Sequence, residues 1–522
     1  RAEQSRAMSH PSIPSTHSSS SSSRCIVRQV YSLDGEGREV NTSDEVERHP
    51  AWSELVLDLV IVANFYQLGK CFTDNCEHYG VLAVLLYYAQ FAPQFDRWVD
   101  ATILLNKFDT GNTYSMWSLL VFTLINRSIP LLNEGNMKPF AFCMMLSIAG
   151  AMVFNFYVAW SVACTRVSTI TGNVVQAANM ALWLVIWLSP SFYVACATWV
   201  VVLVFPSTSL YSRCRPIVEK YVGDPGATNV RIPIDVELMT ERLGLLIVLA
   251  IGEVLMTTVK AAVPPSDQGF DLLSTSWLPV ELSSLRPFVS ISLAIGLAGH
   301  TKLAYFDTYG CPGEEASGVK KHAFKNSVRS SLNFMRFHML AVMSIVLSAG
   351  MMEISDEEFA RGDQALSFDN RIISGIAFAG INASFGILRE QHIYEDNVLE
   401  NELVSRRARV GVLIGVCSAQ VLGAVLVPAS VDPLWLQLLG QVLFAANIFF
   451  EECCRNRWVK NPRDHQSHAV FTDHSAQESH CTTSVGGLTH ITNYSSTTSP
   501  TISNDHVKHS LSENTPLLTA TL

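Results

Sequence analysis

Apolar stretches of about 20 residues, each long enough to cross roughly 30 Å of hydrocarbon as a helix, recur along this chain with short polar breaks. Twelve are read, at residues 53–69, 79–106, 113–132, 139–160, 172–189, 191–207, 240–262, 281–306, 333–353, 371–389, 410–428 and 433–451. Lipid offers no hydrogen-bond partner to an open backbone, so runs of this length must be helices. The expected fold class is therefore all-α, a polytopic transmembrane helix bundle of about twelve spans. Composition agrees, since only 16% of residues are charged against about a quarter in ordinary soluble proteins. The net charge of −10 gives no basic footprint for nucleic acid. The second run contains Pro93 and is long enough to kink or tilt. The fifth and sixth are separated by Pro190, and merging them would leave eleven spans and invert everything downstream.

Loop charge decides that choice. With the amino terminus inside, the inner loops hold Arg213, Arg215, Lys220 and Arg231, then Lys320, Lys321, Lys325 and Arg329, then Arg406, Arg407 and Arg409. The outer loops hold Lys70, Lys138 and Arg361. This asymmetry fits twelve spans with both termini cytoplasmic. Residues 1–50, with the serine run Ser18 to Ser23, and residues 454–522 are polar tails that cannot bury enough apolar surface to order themselves. A weak duplication places Ser53-Glu54-Leu55 opposite Thr240-Glu241-Arg242, and Phe108-Asp109-Thr110 opposite Phe306-Asp307-Thr308. It suggests two parallel six-helix halves, 51–206 and 240–453, joined by a cytoplasmic loop at 207–239.

Ionisable groups inside a bilayer are costly and each needs a reason. Glu54 and Asp58 share one face of the first span. Glu54 suits a first-turn acid facing the helix dipole, whereas Asp58, a turn deeper, is either pore-facing or ion-paired. In the second span Arg97 can pair with Asp100 at i,i+3. That leaves Asp96 either as a proton or cation ligand or as a headgroup-level charge at the end of a tilted helix. In the seventh, Glu241 and Arg242 belong to the helix start, while Glu253 lies twelve residues in, about 18 Å, near mid-membrane. Glu253 is then a functional carboxyl or a protonated acid bonded to another helix. His338 could relay protons or simply pack, and Glu353 closes the ninth span on the outer side. Asp58, Glu253 and Asp96 are the candidates for a polar path, with Arg97 and Arg242 as counter-charges. No zinc spacing or catalytic motif is found, so neither an enzyme nor a bound cofactor is expected.

Cys71 and Cys76 share the first expected outer loop, where an oxidising exterior would permit a disulfide; two free thiols are the alternative. Cys453 and Cys454 stand where the last span meets the cytoplasm, suited to palmitoylation or to burial at a helix end. In the tail, Glu513-Asn514-Thr515-Pro516-Leu517-Leu518 resembles an acidic dileucine signal for clathrin adaptors, pointing to traffic between the plasma membrane and endosomal or vacuolar membranes.

Glu54-Leu55-Val56-Leu57-Asp58-Leu59-Val60 and the stretch Glu241 through Glu253 resemble two motifs of the low temperature requirement A family of multi-pass membrane proteins. Asn106-Lys107-Phe108-Asp109 and the set His338, Gly350 and Glu353 are similar to two more. Leu243 and Ile251 depart from the family's usual Phe and Leu, and aliphatics replace phenylalanines in the first span, while the charged set is intact. The resemblance spans about residues 50–450 and implies a site list rather than a reaction. The expected function is a secondary transporter or channel-like protein for a small ion or solute, with proton coupling through mid-membrane carboxyls. The alternative is a membrane sensor or scaffold in low-temperature adaptation, its charges holding helices together.

Overall fold

The computed structural model describes residues 51–108, 113–161, 165–204, 207–222, 234–262, 282–308, 319–321, 323–326, 328–360, 366–391, 393–394, 406–428 and 431–454, with two short strands at 32–33 and 39–40. All of these lie in the compact unit Arg1–Val459; the second unit, Lys460–Leu522, falls outside the described residues. The helices are α1 (Trp52–Tyr79), α2 (Leu82–Lys107), α3 (Thr113–Asn133), α4 (Lys138–Ser161), α5 (Arg166–Leu188), α6 (Phe192–Val204), α7 (Ser207–Val222), α8 (Val236–Ala262), α9 (Leu282–Lys302), α10 (Ala323–Asn326), α11 (Val328–Ala360), α12 (Phe368–Glu390), α13 (Arg406–Leu426) and α14 (Pro433–Cys454). A π-helical turn, Leu303–Thr308, extends α9. Two small antiparallel ladders are the strands among the described residues, Ser32–Leu33 with Glu39–Val40 and Val319–Lys321 with Ile393–Tyr394.

Each apolar run of the sequence falls on a helix. Nine of the described helices are long and apolar enough to cross a membrane: α1, α3, α4, α5, α8, α11, α12, α13 and α14. Asp96, Arg97 and Asp100 interrupt α2, whereas the side chains of α9 are described only in part and α6 is described over Phe192–Val204. The α5–α6 break is real: the chain leaves helix at Ser189-Pro190-Ser191, where the Ser189 hydroxyl donates to the Ser191 carbonyl at 2.9 Å.

Three boundaries differ from the sequence reading. Helix α1 continues through Lys70, Asp74 and Glu77 to Tyr79, so residues 70–78 are not a loop. Cys71 and Cys76 are therefore buried free thiols five apart on one helix, pointing roughly 140° apart. They cannot meet without moving backbone. Residues 207–222, expected in the connecting loop, form α7. Helix α8 starts at Val236, because Asp235 Oδ1 accepts the Leu238 N–H at 3.1 Å and caps it.

Cross-helix contacts give the direction of each element. Asp58 meets Trp98 and Phe65 stacks on Phe91 at 4.1 Å, so α2 runs against α1. Ser53 meets Ser115 and Asn64 the Phe122 carbonyl, so α3 runs with α1. Contacts of Asp58 with Arg242 and of Tyr66 with Lys260 place α8 parallel to α1. Arg286 meets Ser355 while Tyr305 meets His338, setting α9 and its π turn against α11. Gly69 beside Val346 and Gly350 beside Thr73 align α11 with α1. Successive long helices thus alternate in direction. Helix α11 is the inner column, buried at every residue from Ala341 to Met352 and packed on α8, α12 and α1.

Helices α12 and α13 meet backbone to backbone. A Cβ on Gly375 would lie 2.7 Å from the Ala424 Cβ and 2.9 Å from the Gln420 carbonyl oxygen, so the two backbones touch there, as small residues allow between membrane helices. Gly375→Val should cost about 1–3 kcal/mol through this overpacking and lower the melting temperature in detergent. Gly415→Ala, on the same α13 with open space around it, should leave the melting temperature unchanged.

Candidate functional site

Three polar regions occupy the bundle, and they differ in how they meet water. The first joins α1, α2 and α8. Asp58 is 0% exposed and Arg242 1%. Arg242 donates from Nε to Asp58 Oδ2 at 3.1 Å and from Nη2 to Oδ1 at 2.6 Å, while Trp98 Nε1 donates to the same Oδ1 at 2.7 Å. The guanidinium lies over the Trp98 ring at 5.9 Å, and its Nη1 is 3.8 Å from Glu54 Oε2, a carboxylate itself 1% exposed. Both Asp58 oxygens are engaged and no face of the group meets water. Asp58 thus belongs to a dry helix joint rather than to a wet path, the correction that burial imposes. Glu241, the sequence neighbour of Arg242, is exposed, and the start of α8 is held by Asn106, which exchanges two hydrogen bonds with the Asp235 backbone at 2.9 and 2.8 Å.

The second region lies farther along α8. Glu253 follows Arg242 by eleven residues, about 16 Å along the axis, so the two sit at different depths. Glu253 is half-buried and accepts from the Thr257 hydroxyl at 3.0 Å. One turn on, Lys260 Nζ donates to the Tyr66 hydroxyl at 3.3 Å. Half-buried Glu353 on α11 has Glu357, Lys260, Lys70 and Asp74 as charged neighbours. Helix α11 runs on to Ala360, so Glu353 is inside the helix rather than at its end.

The third region surrounds Asp96. From Phe91 to Lys107, α2 has one exposed residue, Asp96, with Asp100, Ile103, Leu104 and Lys107 half-buried on the same face. Asp96 lies fourteen residues past Leu82, about 21 Å into the helix. Arg97 bonds Asp100 at 2.8 Å and the Gln176 oxygen at 2.7 Å, and Gln176 donates to Asp100 at 2.9 Å, a closed triangle that brings in α5. Arg336 on α11, also exposed, is an electrostatic neighbour of Asp96. The α2, α5 and α11 groups therefore make one charged recess, open at Asp96 and Arg336.

His338 is fully buried. Its Nδ1 lies 2.8 Å from the Phe334 carbonyl, which can only accept, so that nitrogen carries a proton, and its Nε2 is hydrogen-bonded to the Tyr305 hydroxyl at 2.8 Å. Both nitrogens are used in packing α11 against the π turn. Asp307 lies in that turn and Cys454 ends α14, but the described side chains do not include theirs. Cys453 is an exposed free thiol at the end of α14. Asp109 and the tail residues Glu513, Leu517 and Leu518 lie outside the described residues. Among the described residues no group of three His, Cys, Asp or Glu is placed to hold a metal ion.

Sequence reasoning overlooked several partners. Arg286 ties three helices, bonding both Asp432 oxygens at 2.7 Å, lying 3.5 Å from Asp356, and reaching the Ser355 carbonyl at 3.0 Å. Arg389 pairs with Glu451, and Arg409 with Glu390 at 3.4 Å. An arginine one turn inside an apolar helix was the available signal. Trp98 carried none, since an indole donor is invisible until its acceptor is placed.

The motif residues thus converge: Glu54, Asp58 and Arg242 on one joint, Asn106 on the start of α8, Gly350 against Phe72 and Thr73, and His338 and Glu353 along α11. The sequence profile described as bacterial low temperature requirement A protein matches residues 50–446. The chain belongs to the low temperature requirement A family. No curated protein and no solved structure matches. The matched range runs from α1 to within α14, so the family core is the helix bundle with its charged joint. With the apolar helices, membership makes the protein a multi-pass integral membrane protein.

Removing one partner of a dry, doubly bonded pair leaves a buried charge and costs about 3–5 kcal/mol, whereas replacing both by apolar groups of similar size can be neutral. Asp58→Asn should sharply lower the melting temperature, and Asp58→Leu with Arg242→Met should recover most of it. A double variant as unstable as the single one would show that the pair does more than join helices.

Proposed function

We propose that this low temperature requirement A protein is a secondary transporter or channel-like protein for a small ion or solute. It would have twelve spans in two parallel six-helix halves, both termini cytoplasmic, in the plasma membrane or an endosomal or vacuolar membrane. The observation that carries the reading is Asp96: the one exposed residue between Phe91 and Lys107 of α2, opposite an exposed Arg336 on the most buried column of the bundle. A membrane protein has reason to keep such a charge where a permeating species can meet it. The alternating helix directions support twelve crossings, with α2, α6 and α9 completing the nine longer apolar helices. The parallel α1 and α8, joined near their amino termini, support a repeat with its axis along the membrane normal.

In this reading the Asp58–Arg242 joint is the dry contact beside the Asp96 recess, since Trp98, which bonds Asp58, is two residues from Asp96. The Glu253, Lys260 and Glu353 cluster lies farther along α8 and α11. Transport requires α1 and α8 to move relative to each other without losing the pair, as rocking halves would. Proton coupling falls to Glu253 and Asp96 rather than to Asp58. No enzymatic reaction, cofactor or nucleic-acid partner is proposed. The partners are the bilayer, the transported species and, through Glu513, Leu517 and Leu518, a clathrin adaptor.

The dryness of the joint favours one rival, a non-transporting sensor or scaffold for cold adaptation whose buried charges only hold helices together. Flux separates the two. In reconstituted vesicles, Asp96→Asn should lower flux at least tenfold, and Glu253→Gln should also lower it, with melting temperatures unchanged. Absence of flux for every ion and solute tried, with function lost on deleting residues 454–522, would favour the sensor.

A further inference from the structure

The arginines that this bundle buries are matched to carboxylates within bonding reach: Arg97 to Asp100, Arg242 to Asp58, Arg286 to Asp432, Arg389 to Glu451 and Arg409 to Glu390. Asp96 and Arg336 break the pattern. They carry opposite charges, lie on facing helices and feel each other electrostatically. Among the described residues neither forms a hydrogen bond or an ion pair. Both are exposed in stretches whose next residues are buried: Phe95 and Arg97 beside Asp96, Met335 beside Arg336. Opposite charges so placed but not joined leave a gap between an anionic and a cationic side chain.

We propose that the gap binds a small zwitterion, its cationic group against Asp96 and its anionic group against Arg336. This rests on reading the recess as the transport site and names the class of ligand it takes. A lone cation at Asp96 would be repelled by Arg336, and a lone anion at Arg336 by Asp96. The four charged side chains of the recess, Asp96, Asp100, Arg97 and Arg336, sum to zero, so a ligand of no net charge preserves the balance. Arg97 and Asp100 are engaged with each other and with Gln176, which leaves the unpaired two to select. The guanidinium fork favours a planar, two-oxygen anion such as a carboxylate. An amino acid or a betaine has that chemistry, and so has a zwitterionic lipid headgroup.

The test is binding to the full chain, purified in a maltoside detergent that supplies no zwitterion, by calorimetric titration. Glycine betaine and glycine represent free solutes, tetramethylammonium and acetate the single charges, and lysophosphatidylcholine the headgroup. A zwitterion should bind at least tenfold more tightly than either single-charge probe. Asp96→Asn should abolish that advantage and spare acetate, and Arg336→Gln should abolish it and spare tetramethylammonium. Glycine betaine or glycine binding identifies a free solute; binding of lysophosphatidylcholine alone identifies the headgroup as the source of the same chemistry. The proposal is overturned if no zwitterion binds, if a single-charge probe binds as well, or if both variants keep the preference. The wild-type comparison alone decides if a variant fails to fold. Zwitterion binding without flux would overturn the transport reading and leave this inference standing, whereas flux of inorganic ions without zwitterion binding would do the reverse.

Discussion

The buried Asp58–Arg242 pair is the constraint on which the rest of this structure hangs. A guanidinium and a carboxylate removed from water each cost several kcal/mol, repaid only with good geometry and further hydrogen bonds. Trp98 supplies one of those bonds and a ring for the cation to face. Because the bonds are directional, the pair sets the depth at which α1 meets α8, and α2 with them. Such a pair contributes register more than stability. Sliding either helix by one turn would strand both charges among Leu57, Leu243 and Leu246, which are fully buried.

Much of the fold was legible in the sequence because hydrophobic length is a local property. The positions of the apolar helices, and the separation of α5 from α6 at Pro190, follow from runs and breakers. Helix ends were less legible. Lys70, Asp74 and Glu77 read as a loop, yet α1 carries them to Tyr79, since a helix can present charges wherever it leaves lipid. Helix α7 was missed because its sequence is polar as well as apolar. The site was half legible. Charge and depth picked out Asp58, Asp96 and Glu253 together, but only packing assigns them to different surroundings. Cost in a bilayer shows that a charge needs a partner and says nothing of whether that partner is an arginine, a hydroxyl or water.

Surroundings as well as depth separate the polar groups. Near the start of α1 and α8, Asp58 and Arg242 are dry and paired while Glu241 is exposed; farther along α8, Glu253 relies on Thr257, and Lys260 reaches back to Tyr66. Helix α11 touches each neighbourhood, with Arg336 toward the recess, His338 pinned to the π turn, and Glu353 among the charges of α1 and α8. Its continuous burial makes it the stiff element past which others would have to move.

The anchoring of α6 bears on the membrane itself. Trp199 donates its indole N–H to the Ala89 carbonyl of α2 at 2.9 Å, a bond for which lipid offers no substitute. The two helices therefore form one wall, and a tilt that fits α2 to a thicker bilayer carries α6 with it.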